Sequence, residues 1–126
     1  GVKSLAILDL LLDGDYINKD TLLILDEPET NLHPAWQKKY AEVITKLCSF
    51  GANILINTHS PYMVESLRGY SDKYNIPVNF YLAHRDEDTK EIQFLEKNRE
   101  VSKIIDVLAQ PLRDLNKELS ELDDDF

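Results

Sequence analysis

Leu22-Leu23-Ile24-Leu25-Asp26-Glu27-Pro28-Glu29-Thr30-Asn31-Leu32-His33-Pro34 is the stretch that decides the fold of this chain. Four apolar residues end abruptly in two adjacent carboxylates and a proline. The run is too short for a helix and is bounded by polar residues, so it reads as a strand buried on both faces. Ending such a strand in Asp26-Glu27 places charge at the carboxyl edge of a parallel sheet, where open α/β folds bind their ligands. One carboxylate there can hold a hydrated Mg²⁺, and its neighbour can orient or deprotonate an attacking water. A solvated strand-to-loop junction would use the same two residues, and the surrounding motifs weigh against that plainer reading.

Those motifs follow in order. Strand-like Ala52-Asn53-Ile54-Leu55-Ile56-Asn57 runs into Thr58-His59-Ser60-Pro61, and the chain opens on Gly1-Val2-Lys3-Ser4-Leu5. The Asp26-Glu27 pair resembles the Walker B element of P-loop nucleotide hydrolases. Pro28 to Pro34 resembles the D-loop of ABC-type ATPases, in the SMC-like and OLD-like ("overcoming lysogenization defect"-like) branch labelled "AAA". The resemblance is dense to about Glu65 and beyond that rests on general layout. It implies that Asp26 holds Mg²⁺ through water and that Glu27 polarises the hydrolytic water. It makes His59 the switch histidine that contacts the γ-phosphate of ATP. Gly1, Lys3 and Ser4 would be the tail of the signature motif and, with Asn31 and His33 of the D-loop, would face ATP held by a partner subunit. Amides and the positive dipole end at a helix start suit phosphate.

Two positions depart from the transporter pattern: His33 stands where Asp is usual, and Lys3 where glutamine is. Both steer the resemblance toward the SMC-like and related branch. For His33, capping the helix that begins at Pro34 is an equal alternative to a contact in trans. Ser60 reads most simply as the N-cap of a helix opened by Pro61, and Glu29 and Asn31 can serve only to shape their loop.

No Gly-x-x-x-x-Gly-Lys-Ser/Thr occurs in the 126 residues, so the loop that cradles phosphates is missing. The expectation is therefore the carboxyl-terminal half of a larger ATPase, inactive alone, whose parent converts ATP to ADP and phosphate in a head-to-tail homodimer. DNA repair, DNA maintenance and phage defence are the settings implied. The alternatives are the nucleotide-binding subunit of a membrane transporter and a non-catalytic interaction module. The net charge of -9 argues against this segment gripping nucleic acid itself, leaving DNA to other parts of the parent. A lone Cys48 excludes a disulfide framework and fits a reducing cytoplasm. The richest apolar run, Leu5 to Leu12, is broken by Asp9 and too short to cross a bilayer.

The expected fold class is α/β, a mainly parallel sheet flanked by helices with an antiparallel edge hairpin, in one domain over 1–126. Ser4 to Asp13 reads as a deeply packed helix, and Asp15 to Asp20 as a polar connector. A helix from Pro34, capped at Gly51, buries Trp36, Tyr40, Val43, Ile44, Leu47 and Phe50. A short helix runs from Pro61 to near Gly69, a third strand over 78–82 and a fourth over 91–95. His84-Arg85-Asp86-Glu87-Asp88 reads as a charged hairpin turn more readily than as a metal cluster. A final helix over 102–122, kinked or split at Pro111, leads into an acidic frayed tail at 123–126.

Overall fold

The computed structural model describes residues 16–124, together with Ala6, Leu10, Asp13 and Gly14. The chain divides into two compact units, Gly1–Val78 and Asn79–Phe126. No helix among the described residues is long and apolar enough to cross a membrane. The fold class is α/β: from Leu22 to Asp124 the described elements are a parallel strand pair, an antiparallel hairpin and three helices.

In the first unit, β1 (Leu22–Asp26) pairs in parallel with β2 (Asn53–Asn57), and α1 (Pro34–Ser49) forms the crossover between them. A second helix, α2 (Pro61–Tyr74), follows β2. Tyr40, Ala41, Ile44 and Leu47 of α1 are buried with Met63 of α2, and Leu23, Leu25, Ile54 and Ile56 of the strands pack against them. That spacing along α1 is one face of a helix.

Both strands differ from the expectation of burial on two faces. Leu22 and Ile24 are each 64% exposed and Leu55 is 58% exposed. Both helices contribute to the core on the side of Leu23 and Leu25, and no described residue covers the other side. Trp36 and Phe50, expected inside, are exposed as well. A helix of 16 residues spans about 24 Å whereas a five-residue strand spans roughly 17 Å. The ends of α1 therefore overhang the sheet. Conversely Ile17, in the connector read as polar, belongs to the core, under a turn closed by Thr21 Oγ1 donating to the Tyr16 carbonyl at 2.7 Å. At Ala6, Leu10 and Asp13 the backbone is helical but the side chains are exposed, so deep packing does not hold there; the rest of that expected helix lies outside the described residues.

Local signals set the helix ends. His33 caps α1 and Pro34 opens it; Gly51, at φ 99°, turns the chain out after the Phe50 cap. Ser60 caps α2 by accepting from Met63 N at 3.2 Å. That helix runs past Gly69 to Tyr74 and stops at Asn75, which takes the left-handed conformation (φ 53°, ψ 47°). Gly69 was a misleading stop signal because it has helical geometry and an ordinary φ. A Cβ added at Gly69 meets nothing within 4 Å.

Tyr74 ties the two helices together. Its hydroxyl donates to Glu42 at 3.0 Å, and Glu42 also pairs with Lys46 at 3.3 Å. The Tyr74 hydrogen bond first, then Lys46, hold the Glu42 carboxyl below its ordinary range.

In the second unit β3 (Tyr81–Arg85) and β4 (Ile92–Glu96) form an antiparallel hairpin. It is a two-stranded sheet of its own. The strand expected over 78–82 starts later because Asn98 takes the Phe80 amide (2.6 Å) and the Asn79 side chain (2.9 Å). The charged segment forms the hairpin turn: Asp86 Oδ1 accepts from the amides of Asp88 (2.9 Å) and Thr89 (2.8 Å). Those backbone donors hold the Asp86 carboxyl low. The helix α3 (Val101–Asp124) is continuous through Pro111 and takes in the first residues of the expected tail. Proline removes a donor and crowds the preceding turn. Here Arg113 reaches back and donates to the Asp106 carbonyl at 2.6 Å.

Two predictions follow from these contacts. Gly69→Ala should stabilise the protein by roughly 0.5–1 kcal/mol, since alanine fits the helix without strain; a lowered urea midpoint would show that the position is crowded. The Glu42 contribution is present above the ordinary carboxylate pKa and is lost as pH falls through its lower folded value. Tyr74→Phe should therefore flatten the loss of stability on acidification, measured as the pH dependence of the denaturation midpoint. An unchanged acid limb would remove the Tyr74–Glu42 bond from the acid response.

Candidate functional site

The parallel register places Asp26 directly beside Asn57. The Asn57 side-chain amide donates to Asp26 Oδ1 at 2.7 Å, which fixes the carboxylate while the residue stays exposed. One step on, Glu27 N donates to the Asn57 carbonyl at 2.8 Å, extending the ladder beyond the strands. Glu27 has φ 45°. A left-handed conformation costs a residue with a Cβ about 1–2 kcal/mol, and such strain concentrates where a side chain has a task. The Glu27 carbonyl is held by the Thr30 amide (3.1 Å) and hydroxyl (2.8 Å). Held this way, the Glu27 carboxylate pairs through Oε1 with Nδ1 of His59.

The loop after β2 is aligned by Glu29. Its Oε1 accepts from the Thr58 hydroxyl at 2.6 Å and from the His59 amide at 3.1 Å. The other oxygen, Oε2, is buried with no partner among the described residues. Ser60 continues the chain of contacts: its hydroxyl donates to the Gln37 Oε1, and Gln37 Nε2 donates to the Leu32 carbonyl at 3.0 Å. Gln37 and Ser60 are both buried. The loop after β1, the loop after β2 and the start of α1 are thus locked to one another.

Asp26, Glu27 and His59, the residues read from the sequence, are brought together at one sheet edge. Asn31 shapes the first loop at φ 64°. His33 caps α1, its Nδ1 accepting from Ala35 N at 3.2 Å, so the capping role is realised. Gly1, Lys3 and Ser4 lie outside the described residues. The bridging role of Glu29, the orienting role of Asn57 and the buried Gln37–Ser60 pair were not apparent in the sequence. The available signal was Asn57 itself, a polar residue ending an apolar strand just before Thr58-His59. Gln37 gave none, since a polar residue in the first turn of a helix is ordinarily solvated.

Asp26 offers an oriented, exposed carboxylate, and no cluster of three or more His, Cys, Asp or Glu occurs among the described residues. That donor set fits Mg²⁺ held through water with phosphate oxygens completing the shell, the usual habit of this ion, and not a dedicated protein cage.

Residues 1–65 match the family described as "AAA domain, putative AbiEii toxin, Type IV TA system". The chain belongs to that AAA domain family. The matched segment covers β1, α1, β2 and the first turn of α2, and so includes every residue of the edge cluster. Membership in an AAA domain family carries an ATPase-like, nucleotide-binding function, with Mg²⁺ its usual companion. No curated protein and no solved structure matches the chain.

Glu29→Ala should unfasten the AAA domain's two loops and cost about 1.5–3 kcal/mol, the net scale of hydrogen bonds to a charged group. Glu29→Gln keeps an acceptor for Thr58 and His59 and should lose clearly less. Hydrogen exchange at the His59 amide should speed up in the alanine variant alone. Equal protection in both variants would mean that Glu29 does not hold the loop.

Proposed function

We propose that this edge serves ATP hydrolysis of the ABC type, with ATP bound between two subunits arranged head to tail. One observation carries the reading. A strained Glu27 carboxylate meets His59 at the carboxyl edge of a parallel strand pair, beside an Asp26 oriented by Asn57. Bound ATP·Mg²⁺ supplies the scissile phosphoanhydride and the charge that offsets its oxygens. Asp26 would hold the hydrated cation through its carboxylate. Glu27 orients the attacking water and accepts its proton, with Oε1 engaged by His59 and Oε2 left for the water. Nδ1 of His59 faces the Glu27 carboxylate and donates to it, so Nε2 is the nitrogen offered to a γ-phosphate oxygen, to which it donates as part of the imidazolium. The pair thus couples nucleophile and phosphate, a form of general-base catalysis that depends on position.

Residues that face the partner's nucleotide complete the site. Capping by His33 uses Nδ1 as acceptor, so its Nε2 carries the proton and can donate across the interface. Asn31, at φ 64°, shapes that loop, and Gly1, Lys3 and Ser4 would be the signature end that faces the partner's γ-phosphate. We assign the parent to the SMC-like and OLD-like branch in the cytoplasm, in DNA repair, DNA maintenance or phage defence. The toxin–antitoxin wording of the family description is compatible with the last.

The test uses a protein in which this domain is joined to a phosphate-binding loop. Glu27→Gln should keep ATP binding and slow turnover on the order of a hundredfold or more. Ligand that binds only the dimer should shift assembly by mass action. The variant should therefore sediment as a dimer with ATP and as a monomer with ADP. Turnover within a few-fold of the wild type would remove Glu27 from the mechanism.

A further inference from the structure

The helix α3 carries a second surface, independent of the ATPase reading. Ile105, Leu108, Leu112, Leu115, Leu119 and Leu122 recur at alternating steps of three and four, and the same step leads back to Val101. This is a heptad a/d seam. Its beginning is covered, since Val101 is buried and Ile105 and Leu108 are half-buried. Its last three turns are open: Leu112 is 61% exposed, Leu115 48%, Leu119 50% and Leu122 54%. An uninterrupted apolar seam of this kind on a surface marks an interaction site.

The residues beside the seam say what fits it. In the heptad frame with Leu112 and Leu119 at a, the flanking e and g positions of the open turns are Pro111, Asn116, Glu118 and Asp123. Two are carboxylates and none is basic. Arg113 points elsewhere in the frame and is bound to Asp106, and Lys117 falls at f, opposite the seam. A second copy in parallel would set Glu118 against Asp123 of its twin, because g pairs with the e position five residues on. An antiparallel copy would set acidic flank against acidic flank as well. Like charges at e and g select against that pairing.

We propose that the exposed seam of α3 docks an amphipathic helix whose apolar a/d residues are flanked by lysine or arginine. Its leucines would seat in the seam, and its basic residues would meet Glu118 and Asp123. The helix-in-groove mode supplies affinity from apolar burial, and the flanking charges supply partner choice.

The experiment titrates the 126-residue chain with two labelled three-heptad peptides, followed by fluorescence anisotropy. Both carry Leu at a and d; one has Lys and the other Glu at every e and g. The Lys peptide should bind about tenfold or more tightly than the Glu peptide at low salt, and this ratio should shrink as salt screens the pairs. Glu118→Lys with Asp123→Lys should reverse the preference while leaving the circular dichroism spectrum unchanged, since both sites are exposed. Leu115→Asp with Leu119→Asp should abolish binding of both peptides. Equal affinity for the two peptides, or no binding of the Lys peptide, would overturn the proposal. So would a dimer of the unmodified chain that Leu115→Asp with Leu119→Asp dissociates, because the seam would then belong to a second copy.

Discussion

The parallel pairing of β1 with β2 is the constraint on which the site depends. Parallel neighbours can be joined only through a crossover, here α1, and both strands then end at the same edge. The register puts Asp26 beside Asn57, so the two loops leave the sheet side by side. Everything chemical is a consequence: the Glu27 amide finds the Asn57 carbonyl, the backbone turns left-handed, and Glu29 reaches across to the opposite loop. A neutral hydrogen bond in such a set is worth about 0.5–1.5 kcal/mol net. None holds the edge alone. Each fixes a different degree of freedom of the same two loops, so the Glu27–His59 meeting is specified by several weak contacts at once.

That arrangement also explains an asymmetry in the packing. The helices α1 and α2 supply a core for one face of the strand pair, and Leu22, Ile24 and Leu55 stay open on the other. The polar contacts of the edge rest on the covered face: Gln37 and Ser60 are buried there, satisfied by each other and by the Leu32 carbonyl. A buried polar pair is tolerable only when its groups are satisfied. Satisfied, it links the start of α1 to the start of α2 and carries the rigidity of the core to the loops above it.

Much of this was legible in the sequence, for identifiable reasons. The first strand, the helix-opening prolines and the Ser60 cap are local signals, and the structure contains each of them. The misreadings share a cause: they needed knowledge of what lies opposite. Four consecutive apolar residues in β1 looked like burial on both faces, whereas Leu22 and Ile24 are exposed. Gly69 looked like a stop because glycine is permissive, whereas α2 continues past it to Tyr74 with Ser71 buried beyond it. Ile17 looked like an isolated apolar residue in a connector, and tertiary packing drew it inside. Glu29 was legible as a residue but not as a bridge, since its partners Thr58 and His59 are a crossover away.

The same limit bears on the two amphipathic helices. Both α1 and α3 show apolar residues at helical spacing, and periodicity alone predicts a buried face for each. In α1 that face closes on the strands; in α3 the leucines of its last three turns are exposed. What separates the cases is the chemistry of the flanks. Beside the buried face of α1, Glu42 is neutralised by Lys46 and by the Tyr74 hydroxyl, all within one unit. Beside the open seam of α3, Glu118 and Asp123 have no basic residue at a flanking position to answer them. A face whose charges are balanced from within needs nothing further, whereas a seam bordered by unanswered carboxylates is complementary to cations from elsewhere. Apolar spacing thus establishes that a surface wants cover, and the flanking charge decides from what kind of partner that cover comes.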